Sequence, residues 1–256
     1  MAAIREHVLL PARSTRPTCR PERARISSLP RGSRTGETPD MSRPRAAPPD
    51  LGHALAARYS PLASTAGSLS CGDVLEHGAP RPGETVIDLG CGRGRDLLRA
   101  AEAVGPDGRA IGVDGNEAML AAARALAAGA PRVSLVRGDV AAVPLPDGDA
   151  DLVISNCAIN HAPDKAAVYR EVHRLLRPGG RFVVSDVVSE TTLPASVRDD
   201  PEAWAACYGG AIPEAEYLAD VASAGFSDVR VLRRSAPYVK GGVRVLSLTV
   251  TARRPS

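Results

Sequence analysis

Glu84-Thr85-Val86-Ile87-Asp88-Leu89-Gly90-Cys91-Gly92-Arg93-Gly94 decides the reading of this chain. A short apolar run ends beside a carboxylate, and three alternate glycines follow it. Glycines let the backbone turn tightly and let a ligand approach the main chain closely. A dinucleotide fingerprint would read GxGxxG, but the position three after Gly92 is Arg95, so the pattern is DxGxGxG. Asp88 would repel a pyrophosphate and suits a ligand that carries an ammonium group.

Working outward, a helical pattern over Asp96–Ala103 closes at Gly105-Pro106-Asp107-Gly108. Strand Arg109–Val113 then leads through Asp114 into an Ala-rich helix, Asn116–Ala128. Strand Arg132–Val136 precedes Gly138-Asp139, and strand Asp151–Ser155 leads into Asn156-Cys157. Helix Asp164–Leu176 stops at Pro178-Gly179-Gly180 and is followed by strand Arg181–Val188. Five β-α repeats with short turns predict an open parallel sheet covered on both faces. Beyond a Pro-rich stretch, helix Glu214–Ala224 precedes strands at about Val229–Val239 and Val243–Ala252, joined at Lys240-Gly241-Gly242. The expected fold is therefore α/β: a mostly parallel seven-stranded sheet with a C-terminal antiparallel hairpin.

Composition agrees with a soluble globular chain: 256 residues, 44% hydrophobic and 24% charged. No run approaches the roughly 18 apolar residues that span a bilayer, so no membrane association is expected. Cys19, Cys71, Cys91, Cys157 and Cys207 form no CxxC pair, which speaks against a zinc finger or a disulfide scaffold. A reducing, cytoplasmic location follows as the expectation. Residues 1–50 hold ten Arg against five acids and eight of the 22 prolines, leaving residues 51–256 at a net charge of −2. The excess charge thus belongs to a tail, and no nucleic-acid face is expected. Such a tail buries too little apolar surface to offset its ordering entropy, so disorder is expected over 1–50. Its Arg- and Ser-rich start raises a transit peptide, but acids and prolines interrupt it, and a translation start at Met41 is the favoured expectation.

Asp114, at the end of the second strand, is placed to accept both hydroxyls of a ribose. Asp139 after the third strand can accept from an exocyclic amine, and Met119 can pack on an adenine face. In this order, and with Leu175-Leu176-Arg177-Pro178-Gly179-Gly180 and the terminal hairpin, these residues resemble the class I S-adenosylmethionine-dependent methyltransferases. The resemblance implies a Rossmann-like core over 51–188 that binds S-adenosylmethionine. Its binding residues would be Asp88, Gly90, Gly92, Gly94, Asp114, Met119, Asp139, Val140 and Asn156. The turn-former reading of the same Gly and Asp residues is the bland alternative.

Outside this core, Ser155-Asn156-Cys157-Ala158-Ile159-Asn160, Ser185-Asp186-Val187 and Trp204-Ala205-Ala206-Cys207-Tyr208-Gly209-Gly210-Ala211 resemble the arsenite methyltransferases. That resemblance implies a small substrate-binding cap, with residues 189–256 supplying an arsenic-binding segment plus the last helix and the hairpin. It implies As(III) held by the thiolates of Cys71, Cys157 and Cys207, with arsenite and its thiol conjugates as substrate. A thiol reductant such as glutathione or thioredoxin would be a partner. The chemistry is coherent, because soft As(III) prefers sulfur ligands. Its lone pair then attacks a sulfonium methyl without a general base.

The sequence departs from the family in three places. The region Ser42–Pro49 lacks the further cysteine that is common there, Leu97 stands where many members have cysteine, and His161 replaces an aliphatic residue. Each cysteine could instead be a small buried hydrophobe, and Trp204 is by default a core residue. Two further functions stay open: a methyltransferase for a small organic substrate, and a non-catalytic arsenic-binding protein.

Overall fold

The computed structural model describes residues 46–65 and 72–256. Cys71 and most of the N-terminal tail, Cys19 included, lie outside them. Among the described residues the chain forms eight strands in one sheet, in the order β3-β2-β1-β4-β5-β8-β6, with β7 paired to β8. The strands are β1 Thr85–Leu89, β2 Arg109–Asp114, β3 Val133–Arg137, β4 Ala150–Asn156, β5 Leu176–Ser189, β6 Ser227–Arg234, β7 Tyr238–Lys240 and β8 Val243–Arg253. The helices are α1 Leu51–Leu62, α2 Val74–Gly78, α3 Arg95–Val104, α4 Glu117–Leu126, α5 Lys165–Leu175, α6 Ala195–Arg198, α7 Pro201–Ala205 and α8 Glu214–Ser223. A 3-10 turn, Ile159–His161, follows β4.

β1 is buried at every position, as a central strand covered on both faces must be. Its side chains alternate between two cores. Ile87 and Leu89 join Val168 and Val172 of α5 and Tyr217 of α8 in one. Val86 joins Val74 of α2 and Ala100 and Val104 of α3 in the other. The pairs β1–β2, β1–β4, β2–β3 and β4–β5 are parallel, whereas β8 runs antiparallel to β5 and β6. Side-chain caps fix the starts of several helices: Asn116 accepts from Ala118 and Met119 amides, Asp164 from Ala167 and Asp200 from Glu202.

Three features differ from the sequence reading. The expected strand Val229–Val239 is two strands, β6 and β7, so the sheet has eight members and not seven. Ser235-Ala236-Pro237 separates them, and Pro237 has no N–H for a ladder. Between β3 and β4 no helix occurs among the described residues, so that unit is not a β-α repeat. Pro144, Pro146 and Gly148 oppose a helix there. The segment is held instead by Arg174, which donates to the carbonyls of Val143 (2.9 Å) and Leu145 (2.8 Å). Finally, α1 was not expected as an element, and it packs on α7 and α4.

Candidate active site

The parallel strands β1 and β4 lie side by side while their crossovers leave in opposite directions, which opens a crevice at their C-terminal ends. A cavity of about 750 Å³ occupies it, within the ~300–1,000 Å³ range of small-molecule sites. Asp88, Gly90, Gly92, Asp114, Met119, Asp139, Val140 and Asn156 all line this cavity, so the structure brings together the expected cofactor residues. Gly94 completes the loop as the residue that precedes α3.

Gly90, Gly92 and Gly94 all have positive φ, at 71°, 52° and 78°. Gly90 is doubly constrained, because a Cβ there would stand 2.2 Å from the Cβ of Ala158. The loop is tied to β2: the amides of Gly90 and Cys91 both donate to the Val113 carbonyl, at 2.8 and 3.0 Å. Asp114 accepts from the Gly92 amide at 2.9 Å and from the Asn116 amide at 2.8 Å. Burial raises its carboxyl above the ordinary range, partly offset by these amides. Asp88 is raised further, first by burial and then by the charges of Asp96 and Asp114. Burial disfavours the charged form of both carboxyls, and a cationic ligand would favour it. Cys91 is a buried thiol packed against Gly112, as a small loop residue should be.

The second half of the site lies beyond Asn156. Cys157 and Cys207 belong to one buried cluster with Val187 and Leu193, and Cys207 Sγ is 3.7 Å from the Cys157 carbonyl. Both take left-handed backbone, with φ of 59° and 67°. Non-glycine residues held there store strain, which is characteristic of functional sites. The Cys157 amide donates to Ser185 O at 2.8 Å. Cys157 is disulfide-bonded, whereas the expectation was a thiolate; Cys207 and Cys91 are free thiols. Asn160 donates to the carbonyls of Val187 (2.6 Å) and Cys207 (3.2 Å), and so ties the Cys207 loop to β5. Gly210 is required beneath it, because a Cβ there would lie 2.0 Å from the Asn160 carbonyl oxygen. Trp204 is buried, as expected of a core residue, and donates to Arg198 O at 2.7 Å. It shares no helix with Cys207, since α7 ends at Ala205.

Asn156, expected as a cofactor residue, also binds the main chain of Gly72 in both directions: it accepts from the amide at 3.2 Å and donates to the carbonyl at 2.7 Å. The residue next to Cys71 is thereby fixed against β4. Two further residues were missed. Tyr59 on α1 and His161 after β4 line the cavity, and each contacts Cys207 Sγ, at 3.1 and 3.3 Å. In the sequence His161 stands out only as a departure from a pattern, and Tyr59 carries no signal.

Residues 80–234 match a family described as "Methyltransferase domain". A solved arsenic(III) S-adenosylmethionine methyltransferase from Chlamydomonas reinhardtii superposes with a TM-score of 0.64 and 31% identity, covering 82% of this chain and 75% of that one. The chain belongs to the arsenite methyltransferase family. The arsenite methyltransferase of Halobacterium salinarum is 38% identical over 199 residues, 73% of this chain and 51% of that protein. That of Aquipseudomonas alcaligenes is 38% identical over 156 residues, 57% of this chain and 45% of that protein. The chain thus spans about half the length of the curated arsenite methyltransferases it matches. No described helix is long and apolar enough to cross a membrane.

Proposed function

We propose that the chain transfers a methyl group from S-adenosylmethionine to As(III) held by cysteine sulfur. The observation that carries this is the placement of Cys157 and Cys207 together beside the cavity that Asp88, Asp114 and the glycine loop line. The volume of that cavity and its lining of Asp88, Asp114 and main-chain amides suit S-adenosylmethionine. Asp88 would hold its ammonium and Asp114 its ribose, and the main chain would be open to it at Gly92, where a Cβ would meet no protein atom within 4 Å. The cofactor supplies an electrophilic methyl group on a sulfonium.

The protein's own work is then positional. Asp114 would hold one end of the donor, Met119 and Val140 would flank its base, and Asp139 would accept from its amine. Cys157, Cys207 and Cys71 give arsenic three sulfurs and leave its lone pair free. That lone pair forms the As–C bond as the methyl–sulfonium bond breaks, and no proton has to move. In-line placement of this kind can supply ~7–11 kcal/mol of the barrier. Residues 51–188 form the donor-binding core in this reading, and 189–256 carry the arsenic-binding segment and the closing strands. Arsenite and its thiol conjugates are the substrates. A thiol reductant is a partner, and the disulfide at Cys157 supports it, since an oxidised sulfur cannot take arsenic. A cytoplasmic location would supply that reductant.

Mass spectrometry of arsenic species after incubation with S-adenosylmethionine, arsenite and glutathione tests the reading. Methylated arsenicals are expected, and their absence in protein that binds the donor would sink it.

A further inference from the structure

One end of the cavity carries a polar triangle that methyl transfer, as described, does not use. Tyr59 Oη stands 3.1 Å from Cys207 Sγ, His161 Nε2 stands 3.3 Å from the same sulfur, and the two stand 3.3 Å from each other. The three residues come from α1, from the 3-10 turn and from the segment after α7, so the fold assembles them deliberately from distant sequence. The Tyr59 and His161 rings meet edge to face, with centroids 5.4 Å apart.

Their hydrogen-bonding characters are complementary. The His161 ring also donates a hydrogen bond to the Ala205 main-chain carbonyl, which favours the charged form, but burial outweighs it and keeps the imidazole neutral. A neutral imidazole has one N–H and one bare nitrogen. The Ala205 carbonyl accepts from the N–H, which leaves Nε2 as the acceptor. Burial likewise keeps the Tyr59 phenol protonated, as a donor. In the free site this donor and acceptor are within hydrogen-bond distance of the Cys207 thiol and of each other. Once arsenic replaces the thiol proton, a hydroxyl, which is both donor and acceptor, can take its place, and a methyl group cannot.

We propose that Tyr59 and His161 hold a hydroxyl carried by arsenic while that arsenic is attached to Cys207 and Cys157. Tyr59 donates to the oxygen, and the hydroxyl donates to His161 Nε2. This rests on the arsenic reading above and deepens it: arsenous acid loads stepwise, as an oxygen-bearing arsenical at its third position. In each exchange an As–O bond and an S–H bond break, an As–S bond forms, and hydroxide leaves with the thiol proton as water. The oxidation state of arsenic does not change. After two exchanges one hydroxyl remains for the pair, until a third thiol displaces it.

The test uses reduced full-length protein and follows the fluorescence of Trp204, the one tryptophan in the sequence. In a Cys71→Ser background, arsenite bound by two thiolates keeps one hydroxyl, whereas monomethylarsenite fills that position with carbon. His161→Leu and Tyr59→Phe should each weaken arsenite about five- to tenfold, as expected for one lost hydrogen bond, and leave monomethylarsenite nearly unchanged. His161→Gln keeps an acceptor and should recover most of the arsenite affinity. Equal weakening of both arsenicals would show that the pair merely packs Cys207 and would overturn the proposal, as would unchanged arsenite affinity. If neither arsenical binds the reduced protein before any of these changes, the arsenic reading itself falls.

Discussion

The side-chain amide of Asn156 grips the main chain of Gly72, accepting from its N–H and donating to its carbonyl. Gly72 in turn lies so close to Ser185 that a Cβ on it would stand 2.2 Å from the Ser185 Oγ. The last residue of β4 and the middle of β5 thus fix a residue 84 positions earlier in the chain than Asn156. Asn156 also lines the donor cavity, so one side chain serves both the cavity wall and the anchoring of Gly72.

Asn156→Ala should therefore cost about 1–3 kcal/mol of stability, since it leaves two partly buried backbone groups of Gly72 unsatisfied. Urea unfolding measures this. A variant as stable as the parent would show that the Gly72 contact carries no weight.

Asp114→Ala should weaken S-adenosylmethionine by about 1.5–3 kcal/mol through loss of a charged acceptor. Its two amide contacts make the effect larger than a surface carboxylate would give, because the Gly92 and Asn116 amides lose their partner as well. Calorimetric titration of the donor is the measurement. Affinity equal to wild type would remove Asp114 from the ribose.

Donor binding should also be coupled to protons. Asp88 and Asp114 are both raised in the folded protein, first by burial and, for Asp88, then by Asp96 and Asp114. A raised carboxyl binds more protons folded than unfolded, so its contribution is present at low pH. That contribution is lost as pH rises from the unfolded value of about 4 through the folded one. A cationic donor favours the carboxylates, so its affinity should rise with pH across the same window and its binding should release protons. Titrations in two buffers of different ionisation enthalpy count them. Asp88→Asn should reduce the release, and an equal release in that variant would place the proton elsewhere.

The donor half of the site was legible in the sequence because it is local. Asp88, the three glycines and Asp114 lie on consecutive β-α units, and a strand end followed by a turn fixes each one's place before any tertiary contact forms. The thiol half was legible only through motif resemblance, since Cys157 and Cys207 are 50 residues apart. Tyr59 was invisible for a physical reason. It rides on α1, a helix with little amphipathic pattern and an internal Pro61, whose place is set by contacts to α7 and α4. The missing helix between β3 and β4 could have been read from Pro144 and Pro146, whose spacing leaves no room for one. The break at Pro237 was readable in the same way.

Gly90→Ala combines two penalties that a double variant separates. The new Cβ would meet Ala158 at 2.2 Å, and the residue would keep a φ of 71°. Gly90→Ala should destabilise by more than about 2 kcal/mol through overpacking and strain together. Adding Ala158→Gly should relieve the contact yet leave a cost of about 1 kcal/mol from the left-handed backbone. Full recovery in the double variant would mean the positive φ is not required.

The strain at the two motif cysteines gives the last prediction. Cys157 and Cys207 adopt φ of 59° and 67°, a region that favours glycine over any residue with a Cβ. At an ordinary position alanine is more stable than glycine, so the order of variants reports the backbone and not the sulfur. Cys207→Gly should be more stable than Cys207→Ala by about 1 kcal/mol, and both should lose methyl transfer to arsenite while keeping donor affinity. Reduced protein serves for the same comparison at Cys157, where the disulfide would otherwise add its own contribution. Stability against urea and arsenic speciation on the same samples make the measurement. If Cys207→Gly gained stability over alanine but still methylated arsenite, the strain would be real and the thiol would not be a ligand. If alanine were the more stable, the left-handed geometry at Cys207 would be wrong, and with it the placement of the sulfur beside Tyr59 and His161.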